Sequence, residues 1–116
     1  MKLLKTLKLG FIDDSLKDYY VRFRPYGISE SKKYLELSDT LDAAKLKAMK
    51  GNADVHLGSE LHDFILKIKD LVSEMWVEGS VPDNDGNAQP MTKDDLNEMP
   101  TEFFLTAARF LDGQQV

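Results

Sequence analysis

Residues 59–79 read SELHDFILKIKDLVSEMWVEG, and this stretch decides the fold. Large apolar side chains recur through it at the three-to-four residue spacing of one face of an α-helix. Ser59 is a typical residue to begin a helix and Gly79 a typical residue to end one. The pattern therefore predicts a long amphipathic helix with one face in the core. That face consists of Leu61, Phe64, Ile65, Ile68, Leu71, Val72, Met75 and Trp76.

A second helical pattern precedes this stretch and ends at Gly51 and Asn52. Its apolar residues follow the same spacing, and its charged residues fall mostly on the opposite side. Together the two patterns predict a helical core over residues 28–79. The apolar face of the first helix consists of Tyr34, Leu37, Leu41 and Ala44, with Leu46 and Met49 as a candidate extension.

Residues 1–27 have the alternating pattern of a β-hairpin. Leu7 and Leu9 alternate with polar residues, and so do Val21 and Phe23. A proline follows the second run, where it cannot interrupt a ladder of hydrogen bonds. We expect two strands, each with one buried face, joined by a connection that is longer than a tight turn.

Two further segments follow the long helix. Residues 80–91 are rich in Pro, Asp, Asn and Gly, which predicts an exposed loop. Residues 92–112 predict short C-terminal helices, because Thr92 is a hydroxyl cap followed by acids and Pro100 can open a helix. Gly113 would end the last helix. The predicted fold is mainly α, within the α+β class: an N-terminal β-hairpin followed by about four helices packed as one small domain, 1–116.

Composition narrows the range of functions. The chain has 116 residues, which suits one domain, and no cysteine, which fits a reducing compartment. Its formal charge of −5 repels phosphate, so nucleic acid is not an expected partner. No stretch approaches the roughly 20 apolar residues that cross a bilayer, and the lysine-rich start is unlike a signal peptide. We expect a soluble, cytoplasmic protein that has no membrane partner.

Three groups of polar residues resemble fragments of reactive or metal-binding sites, but none has the required spacing. Residues 83–87 (DNDGN) resemble the middle of a calcium loop without its first aspartate and its bidentate glutamate. His56 and His62 are six residues apart, which does not place them on one helical face. The acid pairs at 13–14 and 94–95 suit turns and caps. We therefore expect no catalytic residue, metal or cofactor, and predict that the protein is not an enzyme.

Apolar residues that the periodic patterns do not bury are candidates for contact with another chain. Tyr20, Arg22 and Arg24 share one face of the second predicted strand, and an unpaired strand edge can accept a further chain. Phe110, near the chain end, is the other candidate. The alternative is that Tyr20 packs on a neighbouring helix and both arginines are merely solvated.

Five stretches occur in a recognisable order: 7–10 (LKLG), 19–25 (YYVRFRP), 34–37 (YLEL), 75–76 (MW) and 91–96 (MTKDDL). The order of elements that they mark resembles the tail assembly chaperones of long-tailed bacteriophages and prophages. The resemblance covers most of the chain. It lies in the arrangement of elements and contains no catalytic signature.

The resemblance implies a protein without enzymatic activity that acts in tail morphogenesis. Members of that group coat the tape measure protein, recruit tail tube subunits, and are absent from the finished particle. It further implies a homo-oligomer in the cytoplasm of a bacterial host. Two other hypotheses remain open: a small regulatory protein that binds one partner stoichiometrically, and an enzyme with an unrecognised site.

Overall fold

A four-stranded antiparallel sheet and four α-helices form the described part of the chain, residues 3–50 and 58–114 of a computed structural model. In chain order, the strands are β1 (Lys5–Lys8), β2 (Tyr20–Phe23), β3 (Trp76–Pro82) and β4 (Ala88–Pro90). The helices are α1 (Ile28–Lys50), α2 (Gly58–Met75), α3 (Lys93–Asn97) and α4 (Thr101–Leu111). The strands lie side by side in the order β1-β2-β3-β4.

The N-terminal hairpin is confirmed. β1 and β2 pair antiparallel with Leu7 opposite Val21, and both of these side chains are buried. The connection between them holds two short 3-10 turns, Leu9–Phe11 and Asp14–Leu16. The long connection therefore has its own local hydrogen bonds.

The predicted end of the long helix is wrong. α2 ends at Met75, and Trp76 begins β3 at once. Aromatic and β-branched residues such as Trp76 and Val77 favour extended backbone, and β2 offers a strand with which to pair. This pairing overrides the helical periodicity. Gly79 lies inside β3, opposite Val21, and does not end a helix.

The predicted loop over residues 80–91 is also wrong, since it contains the end of β3, a tight turn and all of β4. Asp83 organises the turn: its Oδ1 accepts the amide N–H of Asp85 at 2.9 Å and that of Asn87 at 2.8 Å. Gly86 has a φ of 83°, a conformation that favours glycine. Turn-forming residues favour a loop in the sequence, but here they connect two short strands. The described part of the chain is therefore a mixed α+β structure with twice the predicted number of strands.

One hydrophobic cluster joins the sheet to the helices. α2 and α4 cover one face of the sheet, and the rings of Phe23 in β2 and Phe103 in α4 lie 6.3 Å apart. Phe103 and Phe104 are buried, whereas Phe64 and Trp76, which the helical spacing predicts on the core face, are only partly buried against the cluster. The other face of the sheet has no helix over it within the described chain.

α1 and α2 form an antiparallel helical hairpin, since the start of α1 lines the same clefts as the end of α2. Tyr34 and Leu41 of α1 are buried, but Leu46 and Met49 are exposed and do not extend the apolar face. The molecule is elongated, with extents of 51 × 34 × 24 Å and a radius of gyration of 16.1 Å. A compact domain of this length would have a radius of gyration of roughly 13 Å.

The C-terminal helices begin as predicted. The Thr92 hydroxyl accepts the amide N–H of Asp95, and the Asp95 carboxylate accepts the amide N–H of Thr92, which is a capping box at the start of α3. Pro100 directly precedes α4. Gly113 follows it with a φ of 85°.

Candidate functional site

The three polar contact candidates on the hairpin do not lie at a sheet edge. Tyr20 and Arg22 lie in β2, which is paired with β1 on one side and with β3 on the other. The expected unpaired edge is wrong, because β3, which the helical spacing of residues 59–79 does not predict, pairs with β2. The side chains of Tyr20 and Arg22 alternate with the buried Val21 and Phe23, so they belong to the sheet face that points away from the core.

Arg22 has partners on that face. Its guanidinium donates a hydrogen bond to Glu78 at 2.9 Å and lies 4.5 Å from the centre of the Tyr20 ring. The hydrogen bond to Glu78 raises the pKa of the Arg22 guanidinium. Arg22 and Glu78 are directly opposite one another in the β2–β3 pair. The alternative in which Tyr20 packs on a helix and Arg22 is merely solvated is therefore not what the structure shows.

Arg24 has a structural role at the end of α2. Its side chain donates to the Glu74 carbonyl oxygen at 2.8 Å, and its amide donates to the Met75 carbonyl oxygen at 2.8 Å. The last carbonyls of a helix lack partners within the helix and carry partial negative charge. Arg24 therefore supplies two of the missing donors.

Phe110 lies in α4 and is partly buried against the core. The Lys5 ammonium is 5.2 Å from the centre of its ring and donates a hydrogen bond to the Phe110 carbonyl oxygen at 3.2 Å. These contacts hold β1 to the end of α4. Phe110 is therefore in contact with β1, whereas Tyr20 and Arg22 lie on β2. The structure does not bring these candidates together in a common site.

The acidic pairs are used in local structure. Asp13 accepts the amide N–H of Ser15 at 2.9 Å, and this hydrogen bond lowers the pKa of the Asp13 carboxyl. Asp95 belongs to the capping box, and Asp83 to the β3–β4 turn. His62 is exposed on α2, and His56 lies outside the described residues. Within residues 3–50 and 58–114, no three His, Asp or Glu side chains are placed to hold a metal ion together.

An exposed apolar feature that sequence reasoning missed runs along α1. We name it the outer stripe, and it consists of Ile28, Leu35, Leu46 and Met49. At about 100° per residue, the first three lie within about 20° of one another around the helix, and Met49 lies about 60° from Ile28 and Leu46. Their exposed fractions are 93% for Ile28, 54% for Leu35, 53% for Leu46 and 82% for Met49. Asp39 and Asp42 fall on the same side between Leu35 and Leu46. The seven-residue step from Ile28 to Leu35 could have indicated this second face.

A groove on another side of α1 is the second apolar feature. It lies between α1, α2 and α4 and has a volume of about 420 Å³. Its floor is apolar, and its rim carries Asp42 and Lys45 from α1 and Arg109 from α4. Nothing in the periodic patterns pointed to it, because it depends on how three helices pack. The apolar lining residues are Tyr34, Leu41, Leu61, Phe64, Ile68, Leu105 and Ala108.

The described part of the chain holds no helix that is both long and apolar enough to pass through a bilayer. No protein-family model, curated protein or solved structure matches the chain.

Proposed function

We propose that the protein is a non-enzymatic tail assembly chaperone that covers the tape measure protein and recruits tail tube subunits during tail morphogenesis. The observation that carries the proposal is the outer stripe of α1. Its four large apolar side chains are exposed, so the fold does not need them for its own core. Apolar side chains aligned on one exposed helical face are characteristic of a surface that contacts another protein.

The physical argument concerns the client. A long helical protein with apolar positions aggregates unless its surface is covered, and burial of apolar area is the main favourable term in such contacts. α1 offers a face about 35 Å long at 1.5 Å per residue, which suits contact with another helix. The net charge of −5 would keep a complex with many copies soluble.

The polar residues within the outer stripe add a preference for the charge of the client helix. Asp39 and Asp42 interrupt the apolar residues near the middle of α1. A client helix with lysine or arginine at the matching positions would complete ion pairs there, while one with acids would be repelled. The tape measure and tail tube proteins as partners, and the bacterial host cytoplasm as location, come from the resemblance in the order of elements.

The test is co-expression with the very long helical protein encoded beside a tail tube gene in the same genome. We expect the wild-type protein to co-purify with it and raise its soluble yield. A variant with Ile28, Leu35, Leu46 and Met49 all changed to Ser should lose both effects, while circular dichroism shows that it is still folded. Leu66→Ser is the matched control, because Leu66 is 47% exposed but lies on α2 outside the stripe.

Two outcomes would contradict the proposal. One is the absence of a complex between the wild-type protein and that client. The other is a stripe variant that binds as well as the wild type, since the stripe would then not be the contact surface.

A second candidate function is a regulatory module that binds one partner stoichiometrically. The groove between α1, α2 and α4 favours it, because one groove per chain would accept one peptide. Sedimentation at several concentrations separates the two functions. A monomer or dimer that does not change with concentration supports regulation, whereas a broad series of oligomers supports a coat.

A further inference from the structure

We propose that the groove between α1, α2 and α4 binds a short acidic amphipathic helix of another protein. The groove lies beside the outer stripe, and Asp42 borders both. Leu41 lies about 120° to 140° around α1 from Leu35 and Leu46, and Lys45 lies about 80° to 100° from them. The inference does not depend on the identity of the client in the proposed function.

The floor of the groove provides the apolar contact. Leu61 is 42% exposed, and Phe64 and Leu105 are partly exposed beside it. Beneath them lie buried residues of the core, so the floor is firmly supported. A volume of about 420 Å³ is within the usual range for ligand sites and accommodates a few apolar side chains from one face of a helix.

The rim provides the charge preference. Lys45 and Arg109 stand on different helices, and Asp42 is the one acid that lines this groove in the described chain. The ion pairs among residues 3–50 and 58–114 are Arg22–Glu78 and Lys32–Glu36, so neither rim cation has a carboxylate partner at ion-pair distance there. The groove is therefore locally basic in a protein with 20 acidic and 15 basic residues. Its charge selects a partner with carboxylates beside its apolar face.

The walls of the groove decide the backbone conformation of the partner. All three walls are α-helices, whose backbone groups are already hydrogen-bonded along their length. An extended segment in the groove would bury N–H and C=O groups without partners, which is costly. A helix satisfies these groups internally, so a helical segment is the conformation that fits.

The probe for the test is a fluorescein-labelled peptide of about 18 residues, long enough for several helical turns. It carries Leu and Phe at helical spacing and Glu on both flanks of that face. The matched peptide has Lys in place of each Glu. In fluorescence anisotropy titrations of the full chain, we expect saturable binding of the acidic peptide and binding of the basic peptide that is about tenfold weaker or more.

Charge reversal locates the site. The double variant Lys45→Glu with Arg109→Glu should invert the preference, so that the basic peptide binds more tightly than the acidic one. Lys33→Glu with Lys67→Glu is the matched control, since it makes the same charge change in the cleft between α1 and α2. We expect the control to keep the preference of the wild type. Leu105→Ala should weaken binding of the acidic peptide while circular dichroism shows an unchanged fold.

Several results would overturn the inference. These are no binding of the acidic peptide, equal binding of both peptides, or the wild-type preference in the Lys45 and Arg109 double variant. Loss of binding in the four-serine stripe variant together with no effect in the groove variants would assign the peptide to the outer stripe instead. A negative result in the peptide titrations does not change the expected co-purification with the long client. The two proposals can therefore fail separately.

Discussion

Gly79 and Met91 are in contact across the β3–β4 pair, with space between them for a hydrogen atom but not for a methyl group. A Cβ on Gly79 would lie 3.0 Å from the Met91 sulfur and 3.0 Å from the carbonyl oxygen of Tyr20. The first of these neighbours can move, but the second is backbone of the adjacent strand. The close approach of β2, β3 and Met91 therefore requires glycine at this position.

We expect Gly79→Ala to lower the free energy of unfolding by about 1–3 kcal/mol, the usual cost of overpacking. The measurement is urea unfolding followed by circular dichroism. Gly58→Ala is the control: a Cβ there meets no atom within 4 Å, and alanine is the better helix former. Equal stability of wild type and Gly79→Ala would contradict the packing seen around β3.

A second prediction concerns the end of α2. Arg24→Ala removes the side-chain hydrogen bond to the Glu74 carbonyl, and we expect a loss of at most about 1 kcal/mol because the bond is exposed. Arg24→Lys should retain part of the stability, since a cation near the C-terminus of a helix is favourable. Thermal unfolding measures both. Lys8→Ala, an exposed cation on β1, is the control and should change little.

The capping box at the start of α3 makes a third prediction. Thr92→Ala removes the side-chain acceptor for the Asp95 amide and should cost about 1 kcal/mol of stability. Thr101→Ala, at the exposed start of α4, is the matched control and should cost less. Chemical denaturation compares the two. A larger loss for Thr101→Ala would show that the box contributes little.

Tyr26 should make the stability of the fold decrease at alkaline pH. Burial, followed by the nearby Tyr34 and Asp112, raises the pKa of the Tyr26 hydroxyl above its ordinary value of 10.0, and that hydroxyl donates to the Ala108 carbonyl oxygen at 3.2 Å. Below pH 10 this phenol is protonated in both folded and unfolded chains. Above it the unfolded chain loses the proton first, so the contribution of Tyr26 to stability falls as the pH rises.

Comparison with Tyr26→Phe isolates this effect. Near neutral pH the variant should be less stable by about 1 kcal/mol, because it lacks the hydrogen bond. Between about pH 9 and about pH 11, across the ordinary pKa of tyrosine, the difference from the wild type should shrink. Denaturant unfolding at a series of pH values measures it. Parallel curves for the two proteins would contradict the prediction.

The parts of the fold that sequence predicted correctly depend on local residues. The alternation around Val21 and Phe23 gave the hairpin, and the caps at Thr92 and Gly113 gave the C-terminal helices. The identity of β3 could not be read in the same way, because Trp76 continues the helical spacing of α2. Only the presence of β2 as a partner makes extended backbone favourable there, and pairing over more than fifty residues leaves no local pattern.

The candidate surfaces also divide into features that local residues predict and features that depend on long-range packing. Tyr20 and Arg22 share one strand face, as predicted, but β2 does not form an edge because β3 pairs with it. The exposure of Leu35 depends on which side of α1 faces α2. Lys45 and Arg109 are far apart in sequence and line the same groove only because α1, α2 and α4 come together in the fold. Such sites are properties of tertiary packing.

The direct passage from Met75 to Trp76 links the helical hairpin mechanically to the sheet. No residue separates α2 from β3, so order gained in the helix is passed directly to the strand. A client that rigidifies α1 and α2 should therefore slow amide hydrogen exchange in β2 and β3 as well. Trp76, the sole tryptophan, lies at this junction between α2 and β3, so a change in its fluorescence on client binding would report the same coupling.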